Sequence, residues 1–446
     1  MTAKVKDMTS GSPGKLIMRF AIPLMLGNVC QQLYTMVDTI VVGQVAGVQA
    51  LAALGAVEWI MWLVIGIITG MTQGFSILLA QHFGAQKTGE LKKAMAHSYL
   101  LTAIMAAAVL IVSQMIAWPL LEFLGTPSDV IHMSILYLRI VFCGIPVISA
   151  YNMFASALRA LGNSRTPLTA MMIAAGINVI LDIVFVAGFR WSVAGAAGAT
   201  VIAQTFSAVY CYGVLRKIEM VRLRKSDFFD GKGMNVQLLK LGIPIVFENG
   251  IISVGGLVVQ SVVNSYGFLF VAGFTATNKL YGVLEMASIS YGFALVTYVG
   301  QNLGANQIRR IKSGVRSSAG IAFVTSVLIS AVMILGGKNI LRLFISGTPQ
   351  QTAQVLDIAY RYLFTMSCFL WVLYFLYIYR SALMGLGETF IPMVSGIVEF
   401  AMRVGVALFL PKLMGNGGIF YAEIVAWTGG GILLAVSYFW KIKRML

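Results

Sequence analysis

Charge is what this sequence has least of. Only 11% of its 446 residues are Asp, Glu, Lys or Arg, against 59% hydrophobic, and the mean hydropathy is +0.85. A soluble domain of this size carries roughly a quarter charged residues, so a water-soluble globule is excluded. Histidine is nearly missing: His82, His97 and His132 stand isolated in or beside loops. No HExxH, GxGD or GxSG motif occurs, which argues against an intramembrane enzyme. Four cysteines (Cys30, Cys143, Cys211, Cys368) are scattered through apolar surroundings without a CxxC pair. They are read as small core residues, with no disulfide framework and no thiolate metal site. Acidic residues number 16 against 32 basic ones, leaving a net charge of +16.

What the chain does have is long apolar runs. Twelve blocks start near residues 16, 51, 96, 133, 166, 193, 240, 269, 317, 357, 390 and 417. Each is about 20 to 30 residues, enough to cross a hydrocarbon core ~30 Å thick. Turn-rich or charged stretches such as "AQHFGAQK", "GTPSD", "GNSRTP" and "RLRKSDFFDGKG" separate them. The first block is too long for a signal peptide and lacks a small-residue cleavage site, so none is expected. With a cytoplasmic amino terminus, loops on the inner side carry 24 of the 32 basic residues, Arg380 among them. The outer loops hold few, such as Arg190, Lys338, Arg342 and Lys412. The positive-inside rule therefore places both termini in the cytoplasm, in a multi-pass protein of the cell membrane. It also accounts for the basic excess through topology and anionic lipid, so no nucleic-acid partner is expected.

The chain repeats itself. "GKLIMRFAIPLM" (14–25) is echoed by "QLLKLGIPIVFE" (237–248), and "AQHFGAQKTGELKKA" (80–94) by "GQNLGANQIRRIKSG" (300–314). "SALRALGNSRTP" (156–167) returns as "SALMGLGETFIP" (381–392). The offset stays between 220 and 225 residues, so the fold expected is all-α and integral to the membrane. Residues 1–220 form one six-helix lobe and 221–446 a second, joined by a basic cytoplasmic linker over 216–240. Six is even, so both lobes enter from the same side and relate by a pseudo-twofold axis along the membrane normal. Repeats of this kind favour a transporter over a receptor or channel, with substrate bound between lobes that rock against each other.

Ionisable residues inside spans cost roughly 2.5–3.5 kcal/mol each on insertion scales and usually face a partner or a cavity. The apolar blocks hold Asp38, Asp182, Glu248, Lys279, Glu285, Glu399 and Arg403. In "GINVILDIVFVAG" (176–188), Asn178 and Asp182 sit four apart, on one helix face. Counted from Arg19, Arg165 and Arg216, Asp38, Asp182 and Thr200 all come out ~24–29 Å from the cytoplasmic anchors. Two carboxylates with amide and hydroxyl oxygens suit a sodium ion, and close, desolvated carboxylates can instead share and carry a proton. The other reading is a structural hydrogen-bond cluster. In the second repeat Asp38 becomes Val259, Asn178 becomes Arg403 and Asp182 becomes Ala407. A scaffold would be copied into both lobes, so the asymmetry favours a specialised site.

Glu399 and Arg403, also four apart, are expected to neutralise each other as a structural pair. Glu248 either faces the central cavity as a cation-attracting carboxylate or packs between helices. Pro23 and Pro244 are candidate bend points early in the first helix of each lobe. Gly66, Gly70 and Gly74 form a small-residue ridge suited to close helix packing. Lys279 and Glu285 do not share a face and receive no role.

Together, "AIPLMLGNVCQQLYTMVDTIVVGQV", the paired "AQHFGA" and "GQNLGA", "ALRALGNSRTP", "INVILDIVFV" and "VAGAAGATVIAQ" resemble the multidrug and toxic compound extrusion (MATE) family along the whole chain. The resemblance implies two six-helix lobes in a V shape that export organic cations and amphipathic drugs in exchange for protons or sodium. It implies no enzymatic activity and no cofactor beyond the coupling ion. It puts Asp38, Asn178, Asp182 and Thr200 on the amino-lobe cation site of the bacterial and archaeal branch that couples there. The norfloxacin-type branch carries a Glu deep in helix 7 and an Asp in helix 10. Here Glu248 lies about a turn early and "CFLWVLYFLYIYRSALMG" holds no acid, which favours the amino-lobe site. A lipid-linked glycan or lipid flippase of the same superfamily is the alternative. The working unit is expected to be a monomer in contact with membrane lipids and small-molecule drugs.

Overall fold

The computed structural model describes residues 5–345 and 348–446, and every regular element among them is helical. The α-helices are α1 (Pro13–Val41), α2 (Val48–Gly84), α3 (Thr88–Phe123), α4 (Ser128–Cys143), α5 (Ile145–Ala160), α6 (Arg165–Asp182) and α7 (Ser192–Leu215). They continue as α8 (Met234–Asn264), α9 (Phe268–Gly304), α10 (Ile308–Arg342), α11 (Pro349–Cys368), α12 (Leu370–Gly385), α13 (Phe390–Met414) and α14 (Ala422–Met445). Among the described residues, ten stretches are long and apolar enough to cross a membrane. The pairs α4–α5 and α11–α12, each bent by 50° at a short break, bring the number to twelve, one for each apolar block of the sequence. At the α4–α5 break stands Gly144, where a Cβ would come within 2.7 Å of Val201. The missing side chain lets α7 lie against the bend.

The repeat is visible in the backbone. Glycines with positive φ precede α2 (Gly47, 91°) and α9 (Gly267, 89°). Gln86 and Asn306, which follow those two helices, both adopt the left-handed conformation, at 57° and 56°. Asn is among the few residues other than glycine that visit this region readily.

The chain divides into two compact units. One holds Met1–Asp7 and Ile22–Val246, the other Met8–Ala21 and Phe247–Leu446. The divisions cut through α1 and α8, each within about a turn of Pro23 or Pro244, and both helices run on through their prolines. The first turns of α1 thus pack in the second unit. Just before them, the Met8 N–H donates to Gln301 Oε1 at 2.8 Å, and Arg310 donates to the Gly11 carbonyl at 3.0 Å. The first turns of α8 pack in the first unit. His97 on α3 meets Asn235 Oδ1 at 2.7 Å and the Asp230 carbonyl at 3.2 Å. There α2 and α8 touch backbone to backbone, since a Cβ on Gly74 would come within 2.4 Å of the Gly242 Cα. Of the glycine ridge, Gly74 therefore has a packing role.

Candidate functional site

In α6 the buried residues Pro167, Ala170, Ala174, Asn178 and Asp182 recur every three or four positions and form one stripe. The small side chains let α7 approach, and Ser207 on α7 donates to the Ala170 carbonyl at 3.4 Å. Further along this stripe come the polar residues. Asn178 is 1% exposed and Asp182 is fully buried. On α1, Asp38 is 8% exposed and lies within interaction distance of Asp182. The hydroxyls of Tyr34 and Tyr137 belong to the same neighbourhood. Asn178 and Thr200 line a cavity of about 30 Å³, shared with Gln31, Tyr34, Tyr151, Gln204 and Ser207. A space needs only ~10–15 Å³ on this scale to hold one water-sized guest.

Many of these polar atoms meet no partner. Both carboxylate oxygens of Asp182, Oδ1 of Asp38, both amide atoms of Asn178 and Oε1 of Gln204 are buried without a hydrogen bond. Buried polar groups are ordinarily satisfied, and each exception calls for a cause. No Lys or Arg forms an ion pair with Asp38 or Asp182 among the described residues. The donor set, two carboxylates with amide and hydroxyl oxygens, fits a proton or a small hard cation.

Each carboxylate stands at the end of its α-helix, and the chain then widens into a π-helix, Val42–Ala46 after α1 and Ile183–Gly188 after α6. The two π segments pack against each other, and Val42 and Val186 share a core cluster with Ala50, Ala53, Val130, Val193 and Ala196. Single π turns concentrate at functional sites because the extra residue redirects the following side chains. In the second unit α8 and α13 stay α-helical throughout. Nothing in the residue pattern signals the π segments, since "VGQVA" and "IVFVAG" read as continuous apolar helix.

The second unit neutralises its charges internally. Arg380 on α12, 7% exposed, approaches Glu248 Oε1 at 2.7 Å and also pairs with Glu399. This corrects two expectations and decides between the two readings of Glu248. Arg380 is buried inside a helix, not in an inner loop. Glu248 is closed against Arg380 and is no open cavity carboxylate. Glu399 and Arg403 do not pair with each other, because α12 offers Glu399 a guanidinium while Arg403 turns to α14. There Arg403 meets Glu423 at 2.8 Å and donates to the Ile252 carbonyl at 3.1 Å. Two partners four apart on one helix lose to partners on neighbouring helices when those arrive at better geometry. Glu285 accepts a hydrogen bond from Tyr377 at 2.8 Å. Sequence reasoning misses Glu423, Tyr377 and Glu58, an exposed acid ten residues into α2. For Arg380 the available signal was span length, since α12 must continue to Gly385 to complete a crossing.

These features define a polytopic helical membrane protein of two units, with a carboxylate pair lacking counter-charge in the first. The MatE family model matches residues 23–184 and 244–409, one match in each repeat. The chain belongs to the MatE family. It is 30% identical over 349 residues to the probable multidrug resistance protein YpnP of Bacillus subtilis, covering 77% of each chain. To the probable multidrug resistance protein NorM of Thermotoga maritima it is 23% identical over 443 residues, covering 97% of this chain and 94% of that one. Among solved structures, a MOP superfamily transporter from Pyrococcus furiosus superposes with a TM-score of 0.93 at 22% identity, with 98% of both chains covered.

Proposed function

We propose that this protein is a proton- or sodium-coupled antiporter that exports organic cations and amphipathic drugs by alternating access. Relatives named as multidrug resistance and multidrug export proteins support the cargo class. One observation carries the coupling. Asp38 and Asp182 are buried without a cationic side chain, whereas Glu248 and Glu399 share Arg380 and Glu423 faces Arg403. Two bare carboxylates in a dry site are costly, so a bound proton or cation must supply the missing charge. Asp38, Asn178, Asp182 and Thr200 form this coupling site. Binding and release there bias α1 and α6, with Pro23 and Pro244 as bend points, between two arrangements of the drug path. Relatives named as multidrug resistance and multidrug export proteins favour this reading over a lipid-linked glycan or lipid flippase. The protein works in the cell membrane with both termini cytoplasmic.

The test is efflux of ethidium from proteoliposomes under a proton gradient alone and a sodium gradient alone. One gradient should drive export and the other should not. Equal export with neither imposed removes the antiport mechanism.

A further inference from the structure

Lys279 is an ionisable residue inside a span that the coupling scheme leaves unused. It lies eleven residues into α9, about 16 Å along the helix. It is exposed, and it has no ion pair or hydrogen bond among the described residues. Glu285, six residues on, is bonded to Tyr377 and offers no countercharge. An exposed ammonium set among apolar side chains, with no countercharge among the described residues, is placed to take an anion from outside the protein, which points to a ligand.

The surroundings say which ligand. Phe268, Val271, Ala272, Thr275 and Lys279 recur at helical spacing along one face of α9, and Phe344, just beyond α10, covers them. Together they line a cavity of about 250 Å³. That is below the ~300–1,000 Å³ of sites for drug-sized molecules, and suits a short chain or one ring system. The groove is apolar toward the start of α9 and positive at its deep end. An organic cation would be repelled there. A bilayer lipid would carry its head at the interface and its tail inward, the opposite polarity. A small free amphiphile with its anionic group leading matches both ends.

We infer that the Lys279 groove binds small amphiphilic acids as cargo, with a carboxylate, sulfonate or phosphate on Lys279 Nζ and the apolar portion along Phe268, Val271 and Phe344. The inference rests on the exporter reading and widens its cargo to anions.

The experiment uses the full chain in phosphatidylcholine nanodiscs and vesicles, with radiolabelled decanesulfonate, a permanent anion, as probe. Lys279→Met should weaken decanesulfonate binding by about tenfold or more, the scale of one lost charge-assisted contact. Lys279→Arg should retain binding, and Ala272→Trp should block it by filling the groove. Decyltrimethylammonium binding and ethidium efflux should not change in Lys279→Met. Unchanged decanesulfonate binding in Lys279→Met overturns the site. Displacement of decanesulfonate by added phosphatidylglycerol overturns the free-solute occupant in favour of a lipid. Lys279-dependent binding without decanesulfonate export, in vesicles that do export ethidium, overturns its role as cargo. Failure of the exporter reading looks different, because neither ethidium nor decanesulfonate is then driven by a gradient while Lys279-dependent binding persists.

Discussion

Asp182 and Arg380 show how differently one chain handles charge in a low-dielectric interior. Asp182 is fully buried without a hydrogen bond or a cation, whereas Arg380 is gripped by two carboxylates. Removing them should have opposite effects. Asp182→Asn and Asp38→Asn are near-isosteric and relieve a bare charge, so thermal stability should hold while gradient-driven ethidium efflux falls to background. Wild-type efflux from Asp182→Asn at matched protein would remove the coupling site. Arg380→Met leaves Glu248 and Glu399 buried without their cation, a loss of about 3–5 kcal/mol for a broken buried pair. Folded yield and melting temperature should drop, and adding Glu248→Gln and Glu399→Gln should recover much of both. If Arg380→Met melts like the wild type, the triad is not structural. The contrast was half legible in the sequence. The four-residue spacing of Asn178 and Asp182, and the loss of both acids in the second repeat, were open to reading. The partner of Glu399 was not, because spacing along one helix carries no information about what the next helix brings.

At the scale of elements, the helices follow from apolar length, and all twelve crossings lie where the apolar blocks lie. Their irregularities do not follow. The π turns after Asp38 and Asp182 are set by how α1, α2, α6 and α7 pack, and only the folded chain contains that packing. Deleting Val184 should convert the second π segment to an α-helix, removing the extra residue that the widened turn absorbs while leaving the residues beyond it nearly in register with Asp182. Transport should be lost while the protein still inserts and folds. Efflux at the wild-type rate would show that the π segment is dispensable. Gly74 makes a sharper case, since any side chain there meets the Gly242 backbone. Gly74→Ala should lower the melting temperature measurably, whereas Gly55→Ala, with nothing within 4 Å, should be neutral or slightly stabilising through better helix propensity.

For the molecule as a whole, the distribution of basic residues sets an orientation that labelling can check. Single cysteines at Ser226, in the basic linker, and Gly125, between α3 and α4, should react with an impermeant reagent from opposite sides of the membrane. Reaction of both on intact cells would contradict the orientation. Gly347, a natural choice for the outer side, lies outside the described residues.

The sharing of α1 and α8 between the two units also constrains how the protein can be made. A ribosome finishes α7 well before it reaches Met234–Val246, the turns that complete the first unit against Gly74 and His97. Until those turns emerge, the nascent first half stands in the bilayer with an unfilled flank. Its own opening turns wait longer, because Gln301 and Arg310, which grip Met8 and Gly11, are synthesised last of all these partners. Neither half is therefore a self-sufficient folding module. Assembly must pass through a stage in which both ends of the exchange are held open, and a chaperone or insertase acting on the chain would meet it there.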